Sequence, residues 1–271
     1  MKVPFTKMQG AANDFVLIDN RMLSIVLTPE QAIRICDRYR GVGAAGILLW
    51  EKSTTNLADW KWTFIQCDGD TAAMCGNGAR CFGKFVHTNL QNQDDFTFET
   101  GAGIVSIAAA PNNYISVTLP NPKDVKLHDT IALSSNPATP VHFANTGVPH
   151  AILYVDDVNA IDVVSLGREV RYHNHYAPHG TNVNFVQIIG PNQLAVRSYE
   201  RGVEVETLAC GTGVAAAVIT AARTHQFTSP VRVQVASGDE LEITFDDDGT
   251  QFTNVHLIGP AEITFTGEID V

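Results

Sequence analysis

Short apolar runs bounded by turn residues dominate the chain, and helical periodicity is confined to a few stretches. Residues 15–18, 47–50 and 62–66 predict strands, as do residues 96–99, 104–108 and 114–119. Residues 29–39 predict a helix, with Thr28 as N-cap, Pro29 in the first position, and Ile33, Ile35 and Cys36 giving it an apolar side. A second helix is expected from Gly76 to about Asn89. The plan then recurs: strands near residues 151–155, 184–189 and 194–199, helices at 158–170 and 211–225, and a strand-rich tail. Pro120, Pro122, Pro137 and Pro140 fall in a segment without clear periodicity, which places a boundary between a first domain, residues 1–120, and a second, residues 121–258.

The recurrence extends to chemistry. Met74-Cys75-Gly76-Asn77-Gly78 and Ala209-Cys210-Gly211-Thr212-Gly213, half a chain apart, each put a cysteine before a glycine turn that leads into an apolar run. A Gly-x-Gly opening a helix offers backbone N–H groups that the helix cannot satisfy, together with the positive end of its dipole. A carboxylate can dock there, and the same field favours a thiolate. One such cysteine suggests a base. Two suggest a pair in which one thiolate removes a proton from a carbon and the other thiol returns one to the opposite face, inverting the centre. Any one of these cysteines taken alone reads more simply as a small buried hydrophobe. The repeat changes that. Residues 10–19, a glycine turn feeding an apolar strand that ends in aspartate, align with residues 147–156, and Cys67-Asp68-Gly69 has its counterpart in Glu200-Arg201-Gly202. An internal duplication predicts two domains, each contributing one thiol.

A chain of 271 residues that is 45% apolar can bury two cores of ordinary size. Its net charge of -11 argues against nucleic acid or an anionic membrane as partner. No apolar run is long enough to span a bilayer, the first residues carry no signal-peptide pattern, and an odd number of cysteines without framework spacing fits a reducing compartment. A cytoplasmic protein with a small-molecule substrate is expected. Gly41-Val42-Gly43-Ala44-Ala45-Gly46 satisfies the dinucleotide fingerprint, but that motif needs a strand before it and a helix after it, and here the predicted order is reversed. A zinc module built on Cys67, Cys75, Cys81 and Cys210 lacks any Cys-x-x-Cys or histidine spacing.

Three segments carry a family resemblance: Met74-Cys75-Gly76-Asn77-Gly78-Ala79-Arg80-Cys81, Tyr199-Glu200-Arg201-Gly202 followed by Glu206-Thr207-Leu208-Ala209-Cys210-Gly211-Thr212-Gly213, and Gly10-Ala11-Ala12-Asn13-Asp14-Phe15. In order and over essentially the whole chain they resemble diaminopimelate epimerase. The resemblance implies an α+β fold of two pseudo-symmetric domains, each a curved, barrel-like antiparallel sheet around a central helix, with the last strand, residues 259–271, returning to the first domain. It implies interconversion of LL- and meso-diaminopimelate without pyridoxal phosphate or metal, in lysine and peptidoglycan precursor synthesis, by a homodimer.

Residue by residue, Cys75 and Cys210 match the catalytic thiols, and His150 with Glu200 the pair that supports their protonation. Gly76, Asn77, Gly211 and Thr212 match the turns that hold the reacting carboxylate. Asn13, Asn182, Glu200 and Arg201 match substrate-binding positions, and Gln66 stands where a substrate-binding asparagine is usual. The departures lie away from the reacting end: Ala45 replaces a common aspartate, Gly46 a glutamine found in some relatives, Thr71 an acidic residue, and Val148 an asparagine. A cofactor-independent racemase or epimerase of another amino acid is therefore the alternative expectation. Proline racemase and hydroxyproline epimerase share the two-thiol layout, and phenazine-type isomerases share the architecture without it.

Overall fold

The computed structural model describes residues 1–90 and 95–271. It forms two units, residues 1–117 with 259–271, and residues 118–258.

In the first unit the strand Lys2–Gly10 pairs antiparallel with Asn13–Asp19 on one side and with the C-terminal strand Glu262–Asp270 on the other. The chain then passes through helix α1 (Pro29–Cys36) and returns as Gly46–Lys52, parallel to Asn13–Asp19. An antiparallel partner follows, Trp60–Gln66, and after it helix α2 (Gly76–Asn89) leads to Phe96–Thr100, parallel to Trp60–Gln66. The second unit repeats the scheme. Strand Pro149–Tyr154 pairs parallel with Asn182–Gly190 across a connection that holds helix α3 (Val163–Arg171). Asn182–Gly190 pairs antiparallel with Gln193–Tyr199, and helix α4 (Gly211–His225) carries the chain to Val231–Val235, parallel to Gln193–Tyr199. The sheets are thus antiparallel except where a helix crosses over, since only a long connection can return the chain in the same direction. This is the α+β fold of two similar units that the duplication predicts.

The apolar runs acquire a physical reason. In Asn13–Asp19 and Gly46–Lys52, Leu17, Leu48 and Trp50 pack with Phe82, Phe85 and Val86 of α2, while the alternate residues Val16, Ile18, Ile47 and Leu49 pack with Ala32, Ile35 and Cys36 of α1. Strands covered on both faces read as continuous hydrophobic sequence. In α4 every residue from Gly213 to Ala221 is buried, so this helix is apolar all round and runs through a core.

Three expectations are corrected. The first helix ends at Cys36, not near Tyr39, because the Asp37 carboxylate accepts the backbone N–H of Tyr39 (2.8 Å) and Arg40 (2.7 Å) and turns the chain. The helix expected over residues 158–170 is two pieces, a 3-10 turn at Val158–Ala160 and α3. Asp162 caps α3 through Ser165 N–H, and the Arg197 guanidinium takes the carbonyls of Val158 and Ile161 that end the first piece. The proline-rich segment contains two paired strands, Lys123–Ile131 and Thr139–Asn145. Two register shifts and positive φ at Asp124 and His128 break the alternation that would have marked the first of them.

The hairpin between Lys2–Gly10 and Asn13–Asp19 turns on Ala11 (φ 52°) and Ala12 (φ 58°), a geometry that glycine and asparagine adopt more readily than alanine. Ala12 is exposed. Ala12→Gly is expected to raise stability by about 1 kcal/mol in urea denaturation, whereas no change would mean that the turn relaxes.

Candidate active site

In the first unit Cys75 is the N-cap of α2, with extended backbone (φ -146°, ψ 121°) and a side chain that does not cap the helix. The sulfur is half-buried, and Asn13 Nδ2 donates to it at 3.8 Å. Asn13 is held there by its neighbour. Asp14 accepts Lys7 Nζ (2.7 Å), both outer nitrogens of Arg38 (3.1 and 3.0 Å) and the Ala45 N–H (3.1 Å). Burial works against the Asp14 charge, but the Arg38 and Lys7 hydrogen bonds outweigh it and keep the carboxyl below its ordinary range. The same bonds anchor residues 41–46, which follow a helix and precede a strand, the reverse of a dinucleotide loop.

Asn77 and Arg80 are buried in the first turns of α2. Asn77 Oδ1 accepts Arg80 Nη2 at 3.0 Å, and Arg80 Nε donates to the Pro260 carbonyl at 3.2 Å, tying the helix start to the returning C-terminal segment. Gly10 is tightly enclosed there, since a Cβ on it would lie 3.2 Å from the Asn77 carbonyl and 3.3 Å from Cys81 Sγ. Gln66 ends the strand Trp60–Gln66 opposite Gly46. The chain then reverses, with Thr71 bridging Ile65, and runs on to Cys75. Gly46 is closed to any side chain: a Cβ would meet Phe64 Cε2 at 2.6 Å and the Ile65 carbonyl at 2.8 Å.

In the second unit the geometry at Cys210 matches that at Cys75. It is the N-cap of α4, extended (φ -117°, ψ 102°), and does not cap the helix with its side chain. Thr212 Oγ1 lies 3.7 Å from Cys210 Sγ and 2.9 Å from His150 Nε2. Thr146 Oγ1 donates to the Thr212 carbonyl at 2.7 Å and fixes the turn. Glu200 is half-buried, and burial raises its pKa against hydrogen bonds from Thr207 and Cys210. A carboxyl tuned upward beside a thiol is suited to exchange a proton with it. His150 is fully buried, and burial, helped by the field of Arg201, pushes its pKa down to about 3, so the imidazole is neutral.

Both ends of the Asn182 amide make structural bonds: its Oδ1 accepts Arg201 N–H (2.8 Å) and its Nδ2 donates to the Pro149 carbonyl (3.0 Å), leaving a second N–H and a second lone pair. It therefore brackets His150 and Arg201, the latter also donating from Nη1 to the His179 carbonyl (3.3 Å). Asn184, Ser198 and Thr207 were missed from sequence. A signal for the first two existed: polar residues at Asn182 and Asn184 share one face of an otherwise apolar strand, as do Ser198 and Glu200 along the neighbouring segment.

Among the described residues no cluster of three or more histidine, cysteine, aspartate or glutamate side chains is arranged to hold a metal, and no helix is long and apolar enough to cross a membrane.

Solved structures share the fold. A phenazine biosynthesis protein of the PhzF family from Bacillus anthracis superposes with a TM-score of 0.77 at 14% identity, covering 100% of both chains. A hydroxyproline epimerase from Agrobacterium vitis gives 0.74 at 15% identity, over 99% of this chain and 92% of the other. The architecture is thus one that epimerases use. The model of the family described as diaminopimelate epimerase matches residues 5–123 and 142–264. Relatives named diaminopimelate epimerase are 38% identical in Chlorobaculum tepidum (97% of this chain, 99% of the relative) and 39% identical in Methanocella arvoryzae (100% and 98%). The chain belongs to the diaminopimelate epimerase family and is an isomerase of the epimerase type.

Proposed function

We propose that the chain interconverts LL- and meso-diaminopimelate by acid–base chemistry at Cys75 and Cys210, without a cofactor, as a step in lysine and peptidoglycan precursor synthesis. The observation that carries this reading is one arrangement made twice, an extended cysteine N-cap on a helix that opens with Gly-x-Gly. The α-proton of an amino acid is weakly acidic, so the charge that develops as it leaves must be met by fixed donors. The first-turn N–H groups at Gly76 and Asn77, and at Gly211 and Thr212, are suited to hold the reacting carboxylate and stabilise that charge. One cysteine, as thiolate, takes the α-proton and becomes a thiol. The other, as thiol, gives its proton to the opposite face and becomes a thiolate. Each turnover leaves the pair in the state that the reverse reaction requires. Glu200 exchanges the Cys210 proton. Thiols that must stay reduced suit the cytoplasm, and the family resemblance suggests a homodimer.

The test is incubation with LL-diaminopimelate in deuterium oxide, following the α-proton by NMR beside a panel of other L-amino acids. Loss of the signal from diaminopimelate alone is expected. Exchange confined to another amino acid would favour the second reading, a racemase of different specificity, which draws on the closed Gly46 position and on Val148.

Arg201, the candidate for the distal carboxylate, gives a further expectation. Arg201→Lys replaces a two-pronged donor by a point charge and is expected to lower kcat/KM on diaminopimelate by roughly ten- to a hundredfold. The loss on a monocarboxylic substrate should be much smaller. Equal losses on both would assign Arg201 to the reacting centre or the fold.

A further inference from the structure

We infer that Ser198, Asn184, His150 and Thr212 form a hydrogen-bond chain of fixed direction that aims the Thr212 hydroxyl proton at Cys210 Sγ, making Asn184 and Ser198 positioning residues for that thiol. The inference rests on the reading of Cys210 as an acid–base group.

The direction follows from what each atom can do. Asn184 lies 3.3 Å through Nδ2 from the Ala151 carbonyl, which can only accept, so the amide nitrogen faces that strand. With the amide set by that carbonyl, Ser198 Oγ donates to Asn184 Oδ1 at 2.8 Å. The same Nδ2 lies 3.1 Å from His150 Nδ1. An amide nitrogen offers only protons, so Nδ1 is the acceptor and carries none. A neutral imidazole with a bare Nδ1 has its proton on Nε2, and this donates to Thr212 Oγ1 at 2.9 Å. The threonine hydroxyl accepts there and keeps its own proton for the sulfur at 3.7 Å.

Asn184, Ser198 and His150 are all buried, so the bonds among them are shielded from bulk solvent. Gly213 belongs to the arrangement as well, because a Cβ on it would fall 2.2 Å from Asn184 Oδ1. Among the titratable and charged groups bearing on Cys210 are Glu200, hydrogen-bonded to it, neutral His150, and Arg201, whose field reaches His150. Glu200 manages the proton of the thiol. The chain instead offers the sulfur a preset donor, so the negative charge left when Cys210 gives up its proton meets a dipole that is already oriented.

Two measurements test this. Nitrogen-15 NMR of histidine-labelled wild-type protein, with His150 assigned by difference from His150→Gln, should show Nδ1 unprotonated and Nε2 protonated. The pH profile of Cys210 alkylation by iodoacetamide, read by mass spectrometry in a Cys75→Ser background, should move up by about one to two pH units in Thr212→Val, the value of one hydrogen bond to a charged group, and return in Thr212→Ser. Asn184→Leu should move the profile in the same direction by less and bring a proton onto His150 Nδ1. A proton on Nδ1 in the wild type, or an unmoved profile in Thr212→Val, overturns the inference. Neither measurement uses substrate, so failure of the chain and failure of the epimerase reading are told apart.

Discussion

Cys75→Ala and Cys210→Ala are each expected to reduce diaminopimelate epimerisation by about a hundred- to ten-thousandfold, the usual contribution of a positioned acid or base. Inversion needs both groups in every turnover, so neither thiol can stand in for the other. The comparison is clean because neither cysteine side chain caps its helix, and alanine keeps the extended N-cap backbone that orients the first-turn N–H groups. Circular dichroism should therefore be unchanged while turnover collapses. A single variant that kept more than about a tenth of wild-type turnover would have lost only about 1.4 kcal/mol of transition-state stabilisation, too little for an obligatory acid or base, and would contradict the two-thiol reaction.

The second large effect is a loss of stability in mild acid, originating in residues 118–258. His150 is fully buried with its pKa lowered to about 3, and His142 is lowered to about 4, by burial first and then by the neighbouring His128 and His225. Both start from an unfolded value of 6.5. Above that value neither state binds the protons and stability is complete. As pH falls below it, the unfolded chain takes up protons that the folded chain refuses, so stability drops by about 1.4 kcal/mol per pH unit for each group until its folded pKa is reached. The two together are expected to cost at most about 5 kcal/mol at pH 4.5. Urea denaturation between pH 7 and about 4.5 measures this. His142→Gln should remove close to half of the slope, because that ring packs against His128 and Tyr154 and glutamine can keep an acceptor for the His128 N–H that Nδ1 now takes. An unchanged slope in His142→Gln would place the acid sensitivity in the carboxylates.

Much of this was legible in the linear chain because the relevant signals are local. A cysteine before Gly-x-Gly and an apolar run specifies a helix start with a sulfur at its N-cap, whatever surrounds it. The Thr28 N-cap ahead of Pro29 is as local, and the structure adds the reciprocal bond from Gln31 that completes a capping box. The helix ends were less legible. Asp37 and Asp162 can serve a helix or a turn, and the choice depended on what their carboxylates reached.

The site shows the same division. The family resemblance points to His150, Glu200, Cys210 and Thr212, whereas Asn184 and Ser198 read as ordinary strand residues, and only the fold brings Asn184 against His150 and Ser198 against Asn184. Gly46 looked like a lost substrate contact, and only the packing of Phe64 and Ile65 shows that no side chain fits there.

By itself, then, the sequence determined the duplicated plan, the two cysteine-capped helices and the apolar strands that enclose them, all properties of short-range patterning and periodicity. The tertiary structure decided which polar side chains meet, the direction in which His150 carries its proton, and the structural use of both ends of the Asn182 amide. Those outcomes depend on hydrogen-bond partners that are distant in the chain and become neighbours only when Asn182–Gly190 pairs with Pro149–Tyr154 on one side and Gln193–Tyr199 on the other, and α4 packs its first turn beside them.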